Sequence, residues 1–377
     1  MSAMPTPDLL TAVIDPAAIT ANVTRIREIS GAPRLMAVVK ADGYGHGAVT
    51  AARAALAGGA DQLGVATLAE ARALRAAGID APLLAWIWSP DQDVAAAVAA
   101  GVQLAVPTTE HLAAAAAAGR AAGATPEVTV KVDTGMNRSG FSVVAGDLDA
   151  AVPALAEAHR TGAVAITGAM THFACADEPE HPSLDLQADR FREAIGRLRG
   201  QGVACPVNHA ANSAAALLRP DLAFDMVRPG IACYGLEPAP GREHGLTPAM
   251  TLSARVLLVK DVPAGEAVSY GRTWTAESDT RVAVVPYGYA DGLPRALAGR
   301  FSVAIGGRRY RQVGRVCMDQ FIIEVDEAVR PGDTAVIFGD GAAGGPTADE
   351  LAAALGTINY EIVTMPHGRV TRRVAGE

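Results

Sequence analysis

The chain contains three lysines, and two of them lie in segments that could support chemistry. The other 29 of its 32 basic residues are arginine. A guanidinium keeps its proton in proteins, whereas a lysine amine can lose one and act as a base or nucleophile. Lys40 ends an apolar run before a glycine-rich turn, Lys131 opens a polar motif, and Lys260 lies in an ordinary strand-to-turn stretch. Lys40 and Lys131 are therefore the candidates for amine chemistry.

The segment around Lys40, AVVKADGYGHG at 37–47, places the amine at the end of a predicted strand. A lysine whose pKa is lowered by a sheltered site can form a Schiff base with an aldehyde cofactor. The glycines at 43, 45 and 47 let backbone and ligand approach closely. Such turns are common, so this segment alone indicates a ligand site without identifying the ligand.

Short β-branched runs alternate with Ala-rich or amphipathic stretches through the first two thirds of the chain. This alternation predicts an α/β fold with a parallel sheet, and eight units favour closure into a (β/α)8 barrel of the TIM type. An open doubly wound sheet is the rival, but no GxGxxG follows the first strand. The predicted strands are 35–40, 62–66, 82–86, 102–106, 127–132, 165–170, 206–208 and 224–227.

Polar residues follow several of these strands at their carboxyl ends, where barrel enzymes place their chemistry. Lys40 ends the first strand, His172 follows the sixth, Asn212 and Ser213 follow the seventh, and Arg228 ends the eighth. Taken singly, each could be an ordinary loop residue. Their recurrence at strand ends predicts a ligand site at one end of the barrel.

From about residue 245, strand runs follow one another with Gly, Pro and Asp turns between them, which predicts a separate, mostly β C-terminal domain. We expect the barrel to span 12–244 and the β-rich domain 245–377. Residues 1–11 and the extended run at 9–14 are candidates to pair with the second domain. Its predicted strands are 251–259, 281–285, 301–305, 321–325 and 334–338, and its predicted helix is 349–354.

Composition and charge exclude several classes of protein. The net charge of −8 comes from scattered acidic residues, with no basic stripe for nucleic acid. The longest apolar stretches fall short of the ~20 residues that span a bilayer, and no secretory signal is visible. The four cysteines form no CxxC pair and the eight histidines no HExxH motif, which argues against metal sites and disulfides. These features predict a soluble, cytoplasmic protein that binds neither membrane nor nucleic acid.

The segment at 37–47 resembles the lysine signature of alanine racemases, which are fold-type III enzymes that carry pyridoxal 5′-phosphate (PLP) on that lysine. Eight further motifs are similar to those of the family and follow its order along nearly the whole chain. Two segments depart from the pattern: Asp42-Gly43 stands where many relatives have Asn-Ala, and Met365-Pro-His replaces the usual arginine-containing tail. The further motifs are KVDTGMNRSG at 131–140, THFA at 171–174, HAANS at 209–213, RPGI at 228–231, VSYGR at 268–272, GYADG at 288–292, GRVCMDQ at 314–320 and INYE at 358–361.

The resemblance implies a set of residues that bind the cofactor. Lys40 would hold PLP, and Arg228 would face the pyridine nitrogen, keep it unprotonated and so limit side reactions such as transamination. The implied ring and phosphate contacts come from Tyr44, His172, Ser213, Tyr360 and the backbone N–H groups of Gly230 and Ile231. The implied supporting residues are Lys131, His209, Asn212 and Asp319, with Tyr289 narrowing the entrance.

The resemblance also implies two bases, because one residue cannot easily reach both faces of a planar centre. Lys40 would serve the face of D-alanine, and Tyr270 would serve the opposite face from the partner subunit of a homodimer with shared sites. Arg138 and the backbone N–H of Met318 would bind the alanine carboxylate. Two alternatives stay open for Lys131: a carbamate that orients Arg138, or an ordinary ion pair.

The function implied is interconversion of L-alanine and D-alanine, with D-alanine supplied to peptidoglycan synthesis. The nearest alternatives are a racemase of another amino acid such as serine, and a fold-type III PLP decarboxylase, which would carry an acidic partner for the ring nitrogen. A non-catalytic PLP carrier would need no β domain. A protein-binding scaffold would leave the lysine in its glycine-rich turn unexplained.

Overall fold

The computed structural model describes residues 8–376, which form two compact units. The barrel unit comprises residues 19–43 and 48–246, and the β unit comprises residues 8–18, 44–47 and 247–376. The helices are α1 (Pro16–Ser30), α2 (Lys40–Tyr44, a left-handed turn), α3 (Ala48–Ala57), α4 (Leu68–Ala76), α5 (Val94–Ala99), α6 (Thr109–Ala122), α7 (Asp147–Arg160), α8 (Ser183–Gly200), α9 (Ser213–Leu218), α10 (Ala348–Leu355) and α11 (Asn359–Thr364). The strands are β1 (Leu10–Ile14), β2 (Arg34–Val38), β3 (Gln62–Thr67), β4 (Leu83–Ile87), β5 (Val102–Val106), β6 (Glu127–Asp133), β7 (Phe141–Ser142), β8 (Ala165–Met170), β9 (Met226–Val227), β10 (Met250–Arg255), β11 (Leu258–Val262), β12 (Ala267–Val268), β13 (Trp274–Thr275), β14 (Thr280–Val285), β15 (Ser302–Ile305), β16 (Arg308–Val313), β17 (Phe321–Val325), β18 (Thr334–Phe338) and β19 (Thr371–Val374).

Parallel strands form the wall of the barrel unit. Strands β2, β3, β4, β5, β6 and β8 are neighbours in that order, and β9 pairs with β2. The circle closes through segment 207–211, because Val207 N donates to Thr167 O and Arg228 N donates to Ala211 O. The predicted (β/α)8 barrel is therefore confirmed.

The seventh and eighth predicted strands are shorter than expected. Residues 206–208 form no strand ladder, and this part of the wall has only an isolated parallel bridge between His209 and Met170. Positive φ at Cys205 (45°) and Phe224 (54°) ends the extended backbone before each segment. A Cβ atom at Gly168 would lie 1.7 Å from Val207 O, so β8 and segment 207–211 approach more closely than side chains allow.

Apolar side chains from successive strands fill the barrel interior. One fully buried cluster takes members from β2, β4, β5, β8 and β9: Met36, Leu84, Ala105, Met170 and Met226. Such a filled interior is a packed core rather than a pore, so a ligand can be reached only from the strand ends and their loops.

Strands β11, β14, β17, β16, β15, β18, β10, β1 and β19 form one sheet of the β unit, in that order. The run predicted as a single strand at 251–259 divides into β10 and β11, because the chain changes partner from β18 to β14 between them. The N-terminal strand β1 lies between β10 and β19. The predicted division at 244/245 is close to the change of unit after Leu246, but residues 12–18 and 44–47 also belong to the β unit.

The helices of residues 8–376 include none that is long and apolar enough to cross a membrane. The same residues contain no cluster of His, Cys, Asp and Glu that could hold a metal ion.

Candidate active site

The predicted site residues are divided between the two units. The barrel unit carries Lys40, Lys131, Arg138, His172, His209, Asn212, Ser213, Arg228, Gly230 and Ile231. The β unit carries Tyr44, Tyr270, Tyr289, Met318, Asp319 and Tyr360.

The turn that follows Lys40 has an unusual backbone. Residues 41–43 have φ values of 52°, 52° and 62°, which lie in the left-handed region that residues other than glycine avoid. Two carboxylates hold this turn: Glu70 Oε1 accepts from Ala41 N at 2.7 Å, and Asp42 Oδ1 accepts from Ala48 N at 2.8 Å. The strained backbone is therefore fixed by neighbouring groups, as is usual where strain serves a site.

The amine of Lys40 lies beside Trp86, with Nζ 6.0 Å from the ring centroid. Burial lowers the pKa of Lys40, the charge of Arg138 lowers it further, and Glu70 acts in the opposite direction. A lowered pKa increases the fraction of neutral amine, which is the form that attacks a carbonyl group.

Lys131 is half-buried among other cations. Burial, followed by the charges of Arg228 and Arg138, lowers the pKa of Lys131 to about 7, although Asp133 acts against them. Within residues 8–376, no carboxylate forms an ion pair with this amine. The ordinary ion pair considered for Lys131 therefore has no acidic partner in the described part of the chain.

The buried guanidinium of Arg228 is held by neutral acceptors. It contacts His209 Nδ1 at 2.9 Å, Thr171 O at 2.7 Å, Ala210 O at 3.1 Å and His172 Nδ1 at 3.3 Å. Burial, with the neighbouring cations, holds the pKa of both histidines well below the ordinary value. Since a guanidinium only donates, both Nδ1 atoms accept, and both imidazoles are neutral with the proton on Nε2.

The hydroxyl of Ser213 is surrounded by backbone amides. Its Oγ accepts from Gly230 N at 2.8 Å and from Ala232 N at 3.3 Å, so its own proton is available for another acceptor. The amide of Ile231 has no hydrogen-bond partner within residues 8–376. Asn212 caps helix α9 through Oδ1 to Ala215 N at 3.0 Å, which is a supporting position. The amide of Gly230 is thus already engaged, whereas that of Ile231 and the Ser213 proton are not.

Arg138 lies on a loop whose backbone is held by the carboxylate of Asp133. Asp133 Oδ1 accepts from Gly135 N at 2.9 Å and from Asn137 N at 3.1 Å. A Cβ atom at Gly140 would lie 2.8 Å from Asp133 N, so the loop returns close to its own start. Arg138 is exposed and has no hydrogen bond with any described residue, which leaves its donors available for an anion.

In the β unit, the glycine-rich segment 44–47 packs against α11. The rings of Tyr44 and Tyr360 have centroids 6.2 Å apart and are tilted by 53°. A Cβ atom at Gly45 would lie 2.4 Å from Val363 O, so only glycine fits there. Arg372 Nε donates to Gly45 O at 2.7 Å, so an arginine of strand β19 also holds this loop.

Tyr270 is presented on a strained turn. Its side chain is 71% exposed, and Ser269, Gly271 and Arg272 all have positive φ, at 67°, 72° and 48°. The turn is tied down by Ser269 Oγ, which donates to Arg315 O at 2.7 Å. A large aromatic side chain held open by a strained backbone indicates a surface that meets a ligand or another chain.

Tyr289 and Met318 lie on two loops that pack directly against each other. Tyr289 N donates to Cys317 O at 3.1 Å, and Ala290 N donates to Met318 O at 2.9 Å. A Cβ atom at Gly288 would lie 2.2 Å from Met318 O. Both Tyr289 (42%) and Met318 (53%) are exposed beyond this packed base, and the position of one loop fixes that of the other.

Three residues with clear roles were missed from the sequence. Glu70 anchors the turn after Lys40, and Thr67-Leu-Ala-Glu70 is a readable capping box that could have drawn attention to it. Gln187 Nε2 donates to His172 O at 3.0 Å, but a glutamine on an amphipathic helix gives no signal. Arg369 pairs with Asp291 and Asp319, and no local pattern joins positions so distant in the chain.

The barrel-unit groups fit an aldehyde cofactor that carries a phosphate. Lys40 supplies an amine with lowered pKa, while Arg138 and Arg228 add positive charge in the same part of the barrel unit. The Ser213 hydroxyl proton and the Ile231 amide are neutral donors of the kind that suits a phosphate dianion. The amine and hydrogen-bond donors of the barrel unit therefore fit PLP.

The fold and this site define a lysine-dependent barrel enzyme with a second, β-rich unit. The family models "Alanine racemase, N-terminal domain" and "Alanine racemase, C-terminal domain" match residues 14–238 and 249–374. The chain therefore belongs to the alanine racemase family. Members of this family are PLP-dependent isomerases that act on alanine as homodimers with shared active sites.

Individual relatives cover the chain nearly end to end. An alanine racemase of Mycolicibacterium vanbaalenii is 52% identical over 372 residues, which is 98% of this chain and 95% of that protein. One of Corynebacterium efficiens is 52% identical over 376 residues, covering 98% and 99%. The crystal structure of the alanine racemase from D-cycloserine-producing Streptomyces lavendulae has a TM-score of 0.95 at 46% identity, covering 99% of this chain and 98% of that one.

Proposed function

We propose that this chain interconverts L-alanine and D-alanine in the cytoplasm with PLP bound at Lys40, and so provides D-alanine for peptidoglycan. Family membership over both units supports the reaction and the cofactor. The residue roles are those that the resemblance of the motifs implies, and the geometry within each unit supports several of them. The active form is a homodimer in which each site takes residues from both subunits.

The observation that carries this proposal is the set of groups that contact Arg228. PLP, when bound, withdraws electrons from the substrate α-carbon, and a protonated ring nitrogen makes it a stronger electron sink. Arg228 is buried at the barrel end and contacts only imidazole nitrogens and carbonyl oxygens among the described residues. A guanidinium in that place keeps the ring nitrogen unprotonated. This supports racemisation rather than the decarboxylase alternative, which would need an acidic group there.

Two groups move the α-proton in the proposed reaction. Lys40 Nζ takes or gives the proton on the D-alanine face, and its lowered pKa makes the neutral, accepting form accessible. Tyr270 Oη of the partner subunit serves the opposite face. The exposure of Tyr270 on its strained turn supports this role, because an interior tyrosine could not reach another subunit.

Two further groups bind the substrate carboxylate. Arg138 is exposed, with donors that no described residue uses, and the backbone N–H of Met318 lies on an exposed loop. Tyr289, on the loop packed against Met318, narrows the entrance and favours a side chain the size of a methyl group. Asp319 supports that loop. Tyr44, Tyr360, Ser213 and the Ile231 amide hold the phosphate, with His172 and His209 supporting the ring site.

Incubation of the purified protein with L-alanine, with and without added PLP, tests the proposal. Chiral chromatography should show D-alanine forming faster than the D-form of serine or of any other amino acid in a panel. If another amino acid were racemised faster than alanine, that amino acid would be the substrate instead. If amines formed with loss of CO2, the reaction would be decarboxylation rather than racemisation.

Reduction with borohydride tests the cofactor site separately from turnover. Peptide mass mapping of the reduced holoenzyme should find the pyridoxyl group on Lys40. Cofactor trapped on Lys131 or Lys260, or on no lysine, would overturn the assignment even if alanine were racemised.

A further inference from the structure

We propose that Arg369 is a positioning residue for the substrate-carboxylate site, because it links Asp291 and Asp319 and so fixes and neutralises the loop that carries Met318. This inference rests on the proposed function, in which the Met318 N–H binds the alanine carboxylate.

All three guanidinium nitrogens of Arg369 are engaged. Nε contacts Asp291 Oδ1 at 2.8 Å and Nη2 contacts Asp291 Oδ2 at 2.7 Å, which is a bidentate pair. Nη1 contacts Asp319 Oδ1 at 2.8 Å. The backbone N of Arg369 also donates to Asp291 Oδ1, at 3.1 Å. One side chain thus joins two carboxylates from two different loops.

The two carboxylates differ in burial, and this decides what each contact does. Asp291 is 1% exposed, whereas the Asp319 side chain is 58% exposed. Burial raises the pKa of Asp291, but the side-chain and backbone hydrogen bonds from Arg369 outweigh it and hold the pKa below the ordinary value. Asp291 therefore stays ionised and acts as a fixed anchor, since a buried carboxylate without its cation would be strongly unfavourable.

Three loops pack too closely to move independently of this anchor. A Cβ atom at Gly292 would lie 2.1 Å from Met365 O, and one at Gly368 would lie 2.9 Å from Ala290 O. Tyr289 N in turn donates at 3.1 Å to Cys317 O, which belongs to the same peptide as the Met318 N–H, and Ala290 N donates to Met318 O at 2.9 Å. The guanidinium therefore connects loop 365–369 to loop 288–292, and through it to the peptide that bears the Met318 N–H.

Asp319 gives the link an electrostatic consequence as well. It follows Met318 directly, and its exposed carboxylate is paired with Arg369. Without the guanidinium, an unpaired negative charge would stand beside the amide that receives the negatively charged end of alanine. Since this contact is made in both ground state and transition state, its loss should appear mainly in KM.

Steady-state kinetics of Arg369→Ala test the inference. We expect KM for alanine to rise at least about 10-fold while kcat changes less than about 3-fold, which is the pattern of lost substrate binding. Binding of propionate, which is alanine without its amino group, should weaken by a similar factor in calorimetry of the holoenzyme. Arg373→Ala is the matched control, because Arg373 is equally exposed but pairs with Asp8, and it should leave both constants unchanged.

Two further variants distinguish a positioning role of Arg369 from a general loss of folding. Arg369→Lys, which keeps the charge but not the bidentate pair, should give an intermediate KM. Adding Asp319→Asn to Arg369→Ala should restore part of the affinity for propionate, because it removes the unpaired charge. If the wild-type protein racemises alanine and Arg369→Ala leaves both KM and propionate affinity unchanged, this inference is wrong while the proposed function stands. A wild type without alanine racemisation would instead overturn the proposed function.

Discussion

The carboxylate of Glu70 joins the turn after Lys40 to the start of helix α4. Glu70 Oε1 accepts from Ala41 N at 2.7 Å, while Oε2 accepts from Ala66 N at 2.8 Å and Thr67 N at 2.9 Å. One side chain thus closes a capping box and holds the first left-handed residue after the lysine. The direction in which Lys40 leaves its strand therefore depends on a residue thirty positions further along the chain.

Glu70→Ala should weaken both the fold and the cofactor site. Loss of the cap and of acceptors for three amides should lower the free energy of unfolding by roughly 2 kcal/mol. PLP affinity should fall as well, since the strained turn loses its restraint. Urea unfolding and absorbance titration with PLP measure the two effects. Glu70→Gln, which keeps an acceptor oxygen, should recover part of each.

Asp93→Ala is the matched control for that variant. Asp93 Oδ1 caps helix α5 by accepting from Ala96 N at 3.1 Å and contacts nothing in the lysine turn. The control should lose about 1 kcal/mol of stability with unchanged PLP affinity. Equal loss of PLP affinity in both variants would show that Glu70 acts through general stability.

Tyr270→Phe should bind PLP normally and lose most conversion of L-alanine to D-alanine. The substitution removes only the hydroxyl, so the exposed ring and its strained turn stay in place. We expect a loss of at least about 100-fold, which is the usual contribution of a general acid or base. Tyr310→Phe is the control, since Tyr310 is a buried tyrosine of the β unit whose Oη donates to Asp326 and to none of the proposed site residues. Full activity of Tyr270→Phe would remove the two-base proposal and leave the PLP assignment intact.

Lys131 should take up CO2 as a carbamate. Its amine, with a pKa of about 7 and no acidic partner in the described chain, is largely neutral above that pH, and the neutral form is the one that reacts. Carbon-13 NMR of protein equilibrated with labelled bicarbonate at pH 8 should show one carbamate signal that weakens as the pH falls below about 7. Lys260→Ala should retain the signal and Lys131→Ala should lose it. Its persistence in Lys131→Ala would place the carbamate elsewhere.

Stability should fall when the pH drops below about 6.5, partly through His209. Burial, together with Arg228, holds the pKa of His209 well below the ordinary value, so the folded state does not take up the proton. The unfolded state takes it up near pH 6.5, and ∂ΔG/∂pH for unfolding is therefore positive below that value. His209→Asn, which keeps an acceptor for Arg228, should reduce the decline in urea midpoint between pH 7 and pH 5. An unchanged decline would exclude His209 as its source.

Much of the barrel could be read from the sequence because its signals are local. Strands at 102–106 and 165–170 were predicted with the bounds that β5 and β8 have, since buried parallel strands are short, continuous apolar runs. The strand predicted at 206–208 was wrong. Positive φ at Cys205 and the close approach of Gly168 to Val207 cannot be seen in residue type. The wall is closed there by tertiary contact rather than by strand propensity.

The candidate site was predictable where it coincides with a motif and not where it depends on distant pairs. Lys40, Arg228 and Ser213 could be identified because each stands in a short, characteristic segment. Asp291 and Arg369 could not, since 78 residues separate them and neither type is unusual at its position. The same holds for the contact between Glu70 and Ala41 N, because the capping box makes Glu70 visible in the sequence but not its contact 29 positions away.

The sequence by itself determined the kind of chemistry and the kind of fold. It confined the available amines to three positions and placed polar residues at the ends of apolar runs that alternate with helices. Only the tertiary structure decided which groups carry charge and which backbone amides are free to bind. Burial and the distance between charges set those properties, and both arise when segments far apart in the chain are brought together.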